Sequence, residues 1–357
     1  MSVKFRHLGH LDIEGGGQVH VRGDVCAIGH IEGTYGTTLV DVKDPTNPKV
    51  HSRLTVPEGT HSHKARLHDD LLLVNYESLK RGQDDGPRGL RVMDISDPSN
   101  PQELSFFHTA KRGVHRFDFD GRYAFISTEL NGYDGNILMT VDLADPSNPV
   151  EASRWWLPGQ SPLDGVTYDG PGLNEIHHAL RFGDLLMTSC CNAGWTILDI
   201  SDVTSPKVFS RHPTRQKFTH TVVPKLGADG KISHIIAVEE AWWHHPEAGV
   251  VISDVSDWDN PQIVNTIELP YGDPSQLWGS HQPNETAVDR LLFTAWFAHG
   301  LQVFDISDPL NITKVGEYSP ERLGSQVMSN DVFVDWDLNR VYLMDRLRGL
   351  DILEFSE

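Results

Sequence analysis

Cysteine is scarce in this sequence: Cys26, Cys190 and Cys191 are the only three in 357 residues. That is too few for a disulfide framework, so a reducing, cytoplasmic setting is expected. Long apolar runs are missing as well. None approaches the roughly 18 residues that a membrane helix needs, and Met1 to Asp12 lacks the apolar stretch of a secretion signal. Positive charge is thin: 30 Lys and Arg face 50 Asp and Glu, a formal net charge of −20. Phosphate backbones and anionic lipids are held by clustered Lys and Arg, so neither nucleic acid nor a membrane is expected as a partner. The glycine-rich phosphate loop, the Gly-x-Ser-x-Gly elbow and the His-Glu-x-x-His helix are all absent. Their absence argues against kinase, α/β-hydrolase and zinc-protease readings. Hydrophobic residues are plentiful at 38%, with 9 Trp and 14 Phe, so a packed core can form. Histidine is abundant too, at 19 residues.

One pattern recurs along the chain. A β-rich run ends in Asp, followed by an apolar residue, a small residue and usually Asp-Pro and Asn-Pro. It reads TTLVDVKDPTNP from Thr37, LRVMDISDPSNP from Leu90, LMTVDLADPSNP from Leu138 and WTILDISDVTSP from Trp195. It continues as VVISDVSDWDNP from Val250, LQVFDISDPLNI from Leu301 and a truncated LDILEFSE at the C-terminus. The first acids, Asp41, Asp94, Asp142, Asp199, Asp254 and Asp305, are spaced by 53, 48, 57, 55 and 51 residues, with Asp351 or Glu354 near the seventh position. That period is the size of a four-stranded propeller blade. In the second unit the strands A to D are expected over 63–67, 71–75, 90–95 and 101–107, with the Asp-Pro piece as the C–D turn. The last copy stops after strand C, whereas Val3-Lys4-Phe5-Arg6-His7-Leu8 resembles a strand D. The N-terminus is therefore expected to complete blade seven and remove the exposed edge. The fold class is all-β: one seven-bladed propeller spanning residues 1–357. These repeats, Leu-x-Val-x-Asp followed by x-Ser-Asp-Pro, resemble the LVIVD-repeat family of β-propellers over nearly the whole chain. The resemblance implies the fold and says little about activity.

The A–B and C–D turns of a propeller share one face. Here they are short, so the long connections 76–89, 157–175, 239–249 and 269–280 crowd the other, where a site is expected. Loop 157–175 reads as a lid. In register with Leu71, Tyr123 and Leu185, a His stands eight positions earlier each time: His63, His115 and His177. Strands A of blades five and six open with His220 and His281. Five imidazoles would thus converge on the channel mouth. Neutral imidazole is a ligand for Fe, Cu, Zn, Ni or Mn, so His63, His115, His177, His220 and His281 form a candidate metal set, with Fe or Cu favoured and Mn or Zn as alternatives. Glu77, Glu129 and Glu239 or Glu240 end strands B on the same face, where carboxylates orient ligand rings. Glu175 beside His177 is another such acid. Glu77, Glu129, Glu240 and His178 are the candidates for moving protons.

Other features are less specific. His30, His61, His178, His244 and His299 are additional candidate ligands. Trp242-Trp243-His244-His245 and Trp296-Phe297-Ala298-His299 read as an aromatic wall or as loop packing. Arg66, Arg116 and Arg181 read as anchors for a substrate carboxylate or as interblade ion pairs. Cys190-Cys191 read as soft ligands, as a redox pair or as buried thiols. The arrangement is similar in architecture to other propellers with axial histidines: carotenoid-cleavage oxygenases, nitrous oxide reductase, methanethiol oxidases and oligogalacturonate lyases. It implies a metal-dependent enzyme, first an oxygenase or oxidase acting on a small organic substrate. The alternatives are a metal-dependent lyase or hydrolase with a free His as acid or base, and a non-enzymatic binding propeller with a structural His plug. Substrate, metal and oligomeric state are left open by the residues.

Overall fold

Runs of Val, Ile, Leu and Phe make the strands, and the Asp-Pro-x-Asn-Pro pieces end them. In the computed structural model, which describes residues 2–79, 86–215, 217–241, 248–321 and 326–357, the strands assemble into seven antiparallel sheets. Blade three is representative: Val114–Phe119, Tyr123–Glu129, Asn136–Asp142 and Val150–Trp155 pair in chain order. The first strands of the seven sheets touch one another in a closed ring, so strand A of every blade lines the axis. Strand Lys4–Leu11 pairs with Gly349–Ser356 from Lys4–Ser356 to Leu11–Leu350, so the N-terminal strand closes the seventh blade as expected. Glu354 pairs with Arg340, the first residue of its strand B, just as Asp142 pairs with Tyr123. Glu354, not Asp351, is therefore the seventh member of the Asp series. Among the described residues no helix is long and apolar enough to cross a membrane.

The core lies between blades. Leu73, Leu90 and Val92 of blade two pack on Phe117, Ile126 and Val141 of blade three. Strands B and C are covered on both faces and are accordingly almost continuously apolar. The other stabilising device is polar. All six repeat Asp accept the backbone N–H two residues on, at 2.7–3.0 Å, as in Asp254 with Ser256 and Asp41 with Lys43. The second Asp of each turn does the same, at 3.0–3.1 Å. Twelve of the 50 acids are thus turn locks, which explains much of the acidity without a cationic partner.

A second repeat feature was not apparent in the sequence. A strand D side chain reaches the C–D turn carbonyl of the next blade: Ser52 to Pro98 at 2.7 Å, Ser105 to Pro146, Ser153 to Val203 and Ser210 to Trp258 at 2.6 Å, and Asn265 to Pro309 at 2.9 Å. Blade six has Gly316 there instead. Blade seven has no C–D turn, and a Cβ on Gly316 would come within 2.9 Å of Val3, whose N–H bonds Val315.

Candidate metal centre

At His115, His220 and His281 the ladder skips. In blade three, Val114 pairs with Thr128 and Arg116 with Ser127, leaving His115 unpaired in a bulge. The same slip falls at His220 in blade five, His281 in blade six and Asn330 in blade seven. A bulge releases one residue from the pleat and re-aims its side chain. In blades two, three and four a polar side chain on strand B holds the opening of strand A. Asn75, Ser127 and Ser189 accept the N–H of Lys64, Arg116 and His178, the residues after the histidines, at 2.8–3.0 Å. They also reach across to the next blade: Asn75 donates to the His115 carbonyl at 3.1 Å, Ser127 to that of His177 at 2.9 Å and Ser189 to that of His220 at 2.7 Å. Blade one has Gly17 and Gly29 at this level. A Cβ on Gly29 would lie 2.4 Å from the His63 backbone, so His63 occupies the space a blade-one side chain would need.

The five expected rings follow one another around the mouth. Centroids are 5.1 Å apart for His63–His115, 4.8 Å for His115–His177, and 4.3 Å for His177–His220 and His220–His281. His61 joins them, 4.7 Å from His63. All six line a cavity of about 230 Å³ with Glu240, Glu175, Arg112, Arg116, Arg346, Cys191 and Phe218. Two groups place three donor atoms within 4.8 Å of one another: His61, His63 and Glu77, and His177, His220 and Glu240.

Protonation can be read from the partners. Burial pushes His63, His177, His220 and His281 well below the usual imidazole range, and the Arg116 charge pushes them further. Burial alone would raise Glu77, but the charges and hydrogen bonds of His115 and His61 hold it well below the usual carboxylate range. Its Oε2 lies 2.7 Å from His61 Nε2 and 2.9 Å from His115 Nδ1, and Oε1 lies 2.6 Å from Arg112. His115 therefore carries its proton on Nδ1. His177 does too, since its Nδ1 lies 2.7 Å from the His220 carbonyl, which only accepts. In the neutral rings both Nε2 atoms are bare, and they face each other at 3.1 Å. Two lone pairs at that distance repel unless a positive centre sits between them, either a proton or a metal ion. The Nε2 atoms of His115 and His177 would be the ones to hold an ion there. The donors fit an ion at this point. The Nδ1 of His281 donates to the Asn330 carbonyl, leaving its Nε2 bare, 3.6 Å from Glu240. His220 is different: its Nε2 accepts from Arg116 at 2.8 Å and its Nδ1 bonds Thr221, so its lone pair is engaged by a guanidinium.

Beneath the rings the channel is filled by ionic side chains. Lys64 is 0% exposed and holds Glu285 at 2.8 Å; Arg66 pairs with Glu285 and, at 3.3 Å, with Asp118. Burial pushes Lys64 well down and Asp331 up, and Arg116 down to about 10. His178, an expected proton carrier, belongs to this lower layer, 3.4 Å from Glu285, and does not line the cavity. Glu129 is buried at the end of its strand and is not part of the lining either. Glu240 lines the cavity and Glu77 is buried behind His61 and His115, whereas Glu239 pairs with Arg215. Arg66 and Arg116 face the channel; Arg181 turns outward to Asp120.

His30 is spent on the Glu14 carbonyl and Thr38, and His299 on the Pro270 carbonyl. Residues 242–247, with His244, lie outside the described residues. Cys190 is buried, its thiol pushed up to about 12, while Cys191 reaches the lining. Loop 157–175 is fastened by Gln160, which donates to the Asp134 and Asn136 carbonyls, and by Leu173 N–H on Asn192. Its end supplies Leu173 and Glu175 as cavity wall. The residues that reasoning from sequence missed are Arg112, Arg346 and the strand B locks Asn75, Ser127 and Ser189. The locks were signalled by a polar residue within an apolar strand B.

Comparison with known proteins bears on the fold. The family model "LVIVD repeat" matches residues 85–109, 119–155, 190–214 and 292–319, largely the outer strands of blades two, three, four and six. No curated protein matches the sequence. Among solved structures, the C-terminal WD40 domain of Sif2 aligns with a TM-score of 0.63 at 10% identity over 99% of both chains. The WD40 repeats of RRP9 align at 0.65 and 9% identity, over 99% of this chain and 98% of that one. At such identities the likeness is one of fold. The chain is a seven-bladed β-propeller carrying LVIVD repeats.

Proposed function

We propose that the channel mouth binds a transition metal and that the protein is a metal-dependent enzyme, an oxidoreductase acting on a small organic substrate. The observation that carries this reading is the pair of bare Nε2 atoms of His115 and His177 facing each other at 3.1 Å. His281 and Glu240 stand beside them, and imidazole-rich sets of this kind take Fe or Cu, with Mn or Zn as the alternatives. When bound, such an ion polarises an oxygen or exchanges electrons. The protein's own groups do the rest. Glu77 fixes the tautomer of His115. Phe218, Leu173 and Cys191 add less polar surface to the cavity wall. Glu240 and the His281 Nε2, 3.6 Å apart, form a pair between which a proton can move.

That pair also supports a second reading, a lyase or hydrolase in which Glu240 or His281 takes a proton from substrate. The test is elemental analysis of protein purified without added metal, followed by titration with Fe, Cu, Mn and Zn. Near-stoichiometric metal that is lost in His177→Ala supports the proposal. An Fe or Cu spectroscopic signature with dioxygen uptake favours the oxidoreductase, and silent Zn or Mn the second reading. A protein that neither retains nor takes up any of the four refutes both.

A further inference from the structure

The ring of histidines stops at blade seven. The bulge there carries Asn330, whose Oδ1 accepts from Arg346 Nε at 2.6 Å. The Arg346 guanidinium lies over the Phe297 ring, 5.2 Å from its centroid. Among the described residues its two terminal nitrogens make no hydrogen bond. Where blade seven would place an imidazole, the fold presents a braced guanidinium fork. Arg346 and Ile31 line both the axial cavity and a second cavity of about 630 Å³, so the two spaces meet at this arginine. The second cavity is walled on one side by Leu277 and Met328, which pack with Phe297, and it is rimmed by the exposed Glu14 and Glu32.

We propose that this double cavity binds an organic monocarboxylate. The carboxylate docks on Arg346, the reacting end faces the axial imidazoles, and the apolar body lies against Leu277 and Met328. A planar guanidinium fixed at Nε leaves a two-pronged donor that matches a carboxylate. The acidic rim and the net charge of −20 disfavour a second negative charge on the ligand. The inference rests on the reading of the axial cavity as a substrate site and names the class of substrate.

The test uses phenylacetate and hexanoate, their amides, and succinate, titrated into the full-length protein with and without prior chelator treatment. Both monocarboxylates are expected to bind, with the amides and succinate about tenfold weaker or more. Arg346→Met is expected to lose about tenfold, and Arg346→Lys less. The preference of the unaltered protein for acid over amide decides the matter even if Arg346→Met fails to fold. If acids and amides bind alike, or if binding disappears with the metal and is untouched by Arg346→Met, the inference is overturned. The comparison of acid with amide is read independently of the metal analysis. Arg346-dependent binding that survives chelation supports the inference whatever the metal analysis finds.

Discussion

Glu77→Gln is a sharp perturbation of the axial site. In the native protein one carboxylate, 1% exposed, accepts from His61 at 2.7 Å and His115 at 2.9 Å and is ion-paired with Arg112 at 2.6 Å. Glutamine keeps the shape but offers one acceptor and one donor. With its oxygen toward Arg112, its NH₂ meets the two imidazoles. His115 must then move its proton to Nε2, where it donates to the bare Nε2 of His177 at 3.1 Å. The lone-pair conflict is relieved by a proton, and the metal position is masked. Loss of an orienting carboxylate costs about 10- to 100-fold in metal affinity, or about 1.4–2.7 kcal/mol. Replacing charge-assisted bonds by neutral ones, with Arg112 left partly unpaired, costs a further ~2–3 kcal/mol in stability. Chelator competition measures the affinity, and imidazole ¹⁵N shifts report the tautomer of His115. A variant that keeps its native tautomer and binds metal within twofold of the unaltered protein refutes the reasoning.

Acid should unfold the metal-stripped protein early. His63, His177, His220 and His281 are all held below the ordinary imidazole value. Above about pH 6.5 they are neutral in both folded and unfolded chains and contribute no pH dependence. Below it the unfolded chain takes up protons first, so stability falls by about 1.4 kcal/mol per pH unit per histidine until each folded value is reached. A Tm that stays flat from pH 7 to 5 is inconsistent with these shifts. Ser153→Ala removes the 2.6 Å clasp to Val203 and is expected to cost about 1 kcal/mol, read as a shift in denaturation midpoint. Gly29→Ala would drive a Cβ to within 2.4 Å of the His63 backbone, displacing that histidine at a cost of ~1–3 kcal/mol or more. Crystallography of the variant, or its stability if it folds, checks this. Removing residues 2–11 exposes the outer edge of strand Gly349–Ser356 and should produce aggregation, measured by light scattering.

The sequence by itself determined the number of blades, their strand order, the N-terminal closure and the turn chemistry. These follow from local signals: the alternation of apolar runs and Asp-Pro turns repeats about every 50 residues, and each Asp bonds its own neighbours. It also determined that His63, His115, His177, His220 and His281 share a position, because a repeat aligns its members without knowledge of the fold. Only the tertiary structure decided which of them keep a bare nitrogen. That depends on partners far away in the chain: Glu77 for His115, the His220 carbonyl for His177, and Arg116 for His220. The same holds for Glu240 over Glu129 and for the place of His178 in the lower layer. A bulge shifts which side chains face the axis, and its position depends on pairing with the neighbouring strand. Arg346 became visible only there, because its role comes from Asn330 and Phe297, brought to it by closure of the ring.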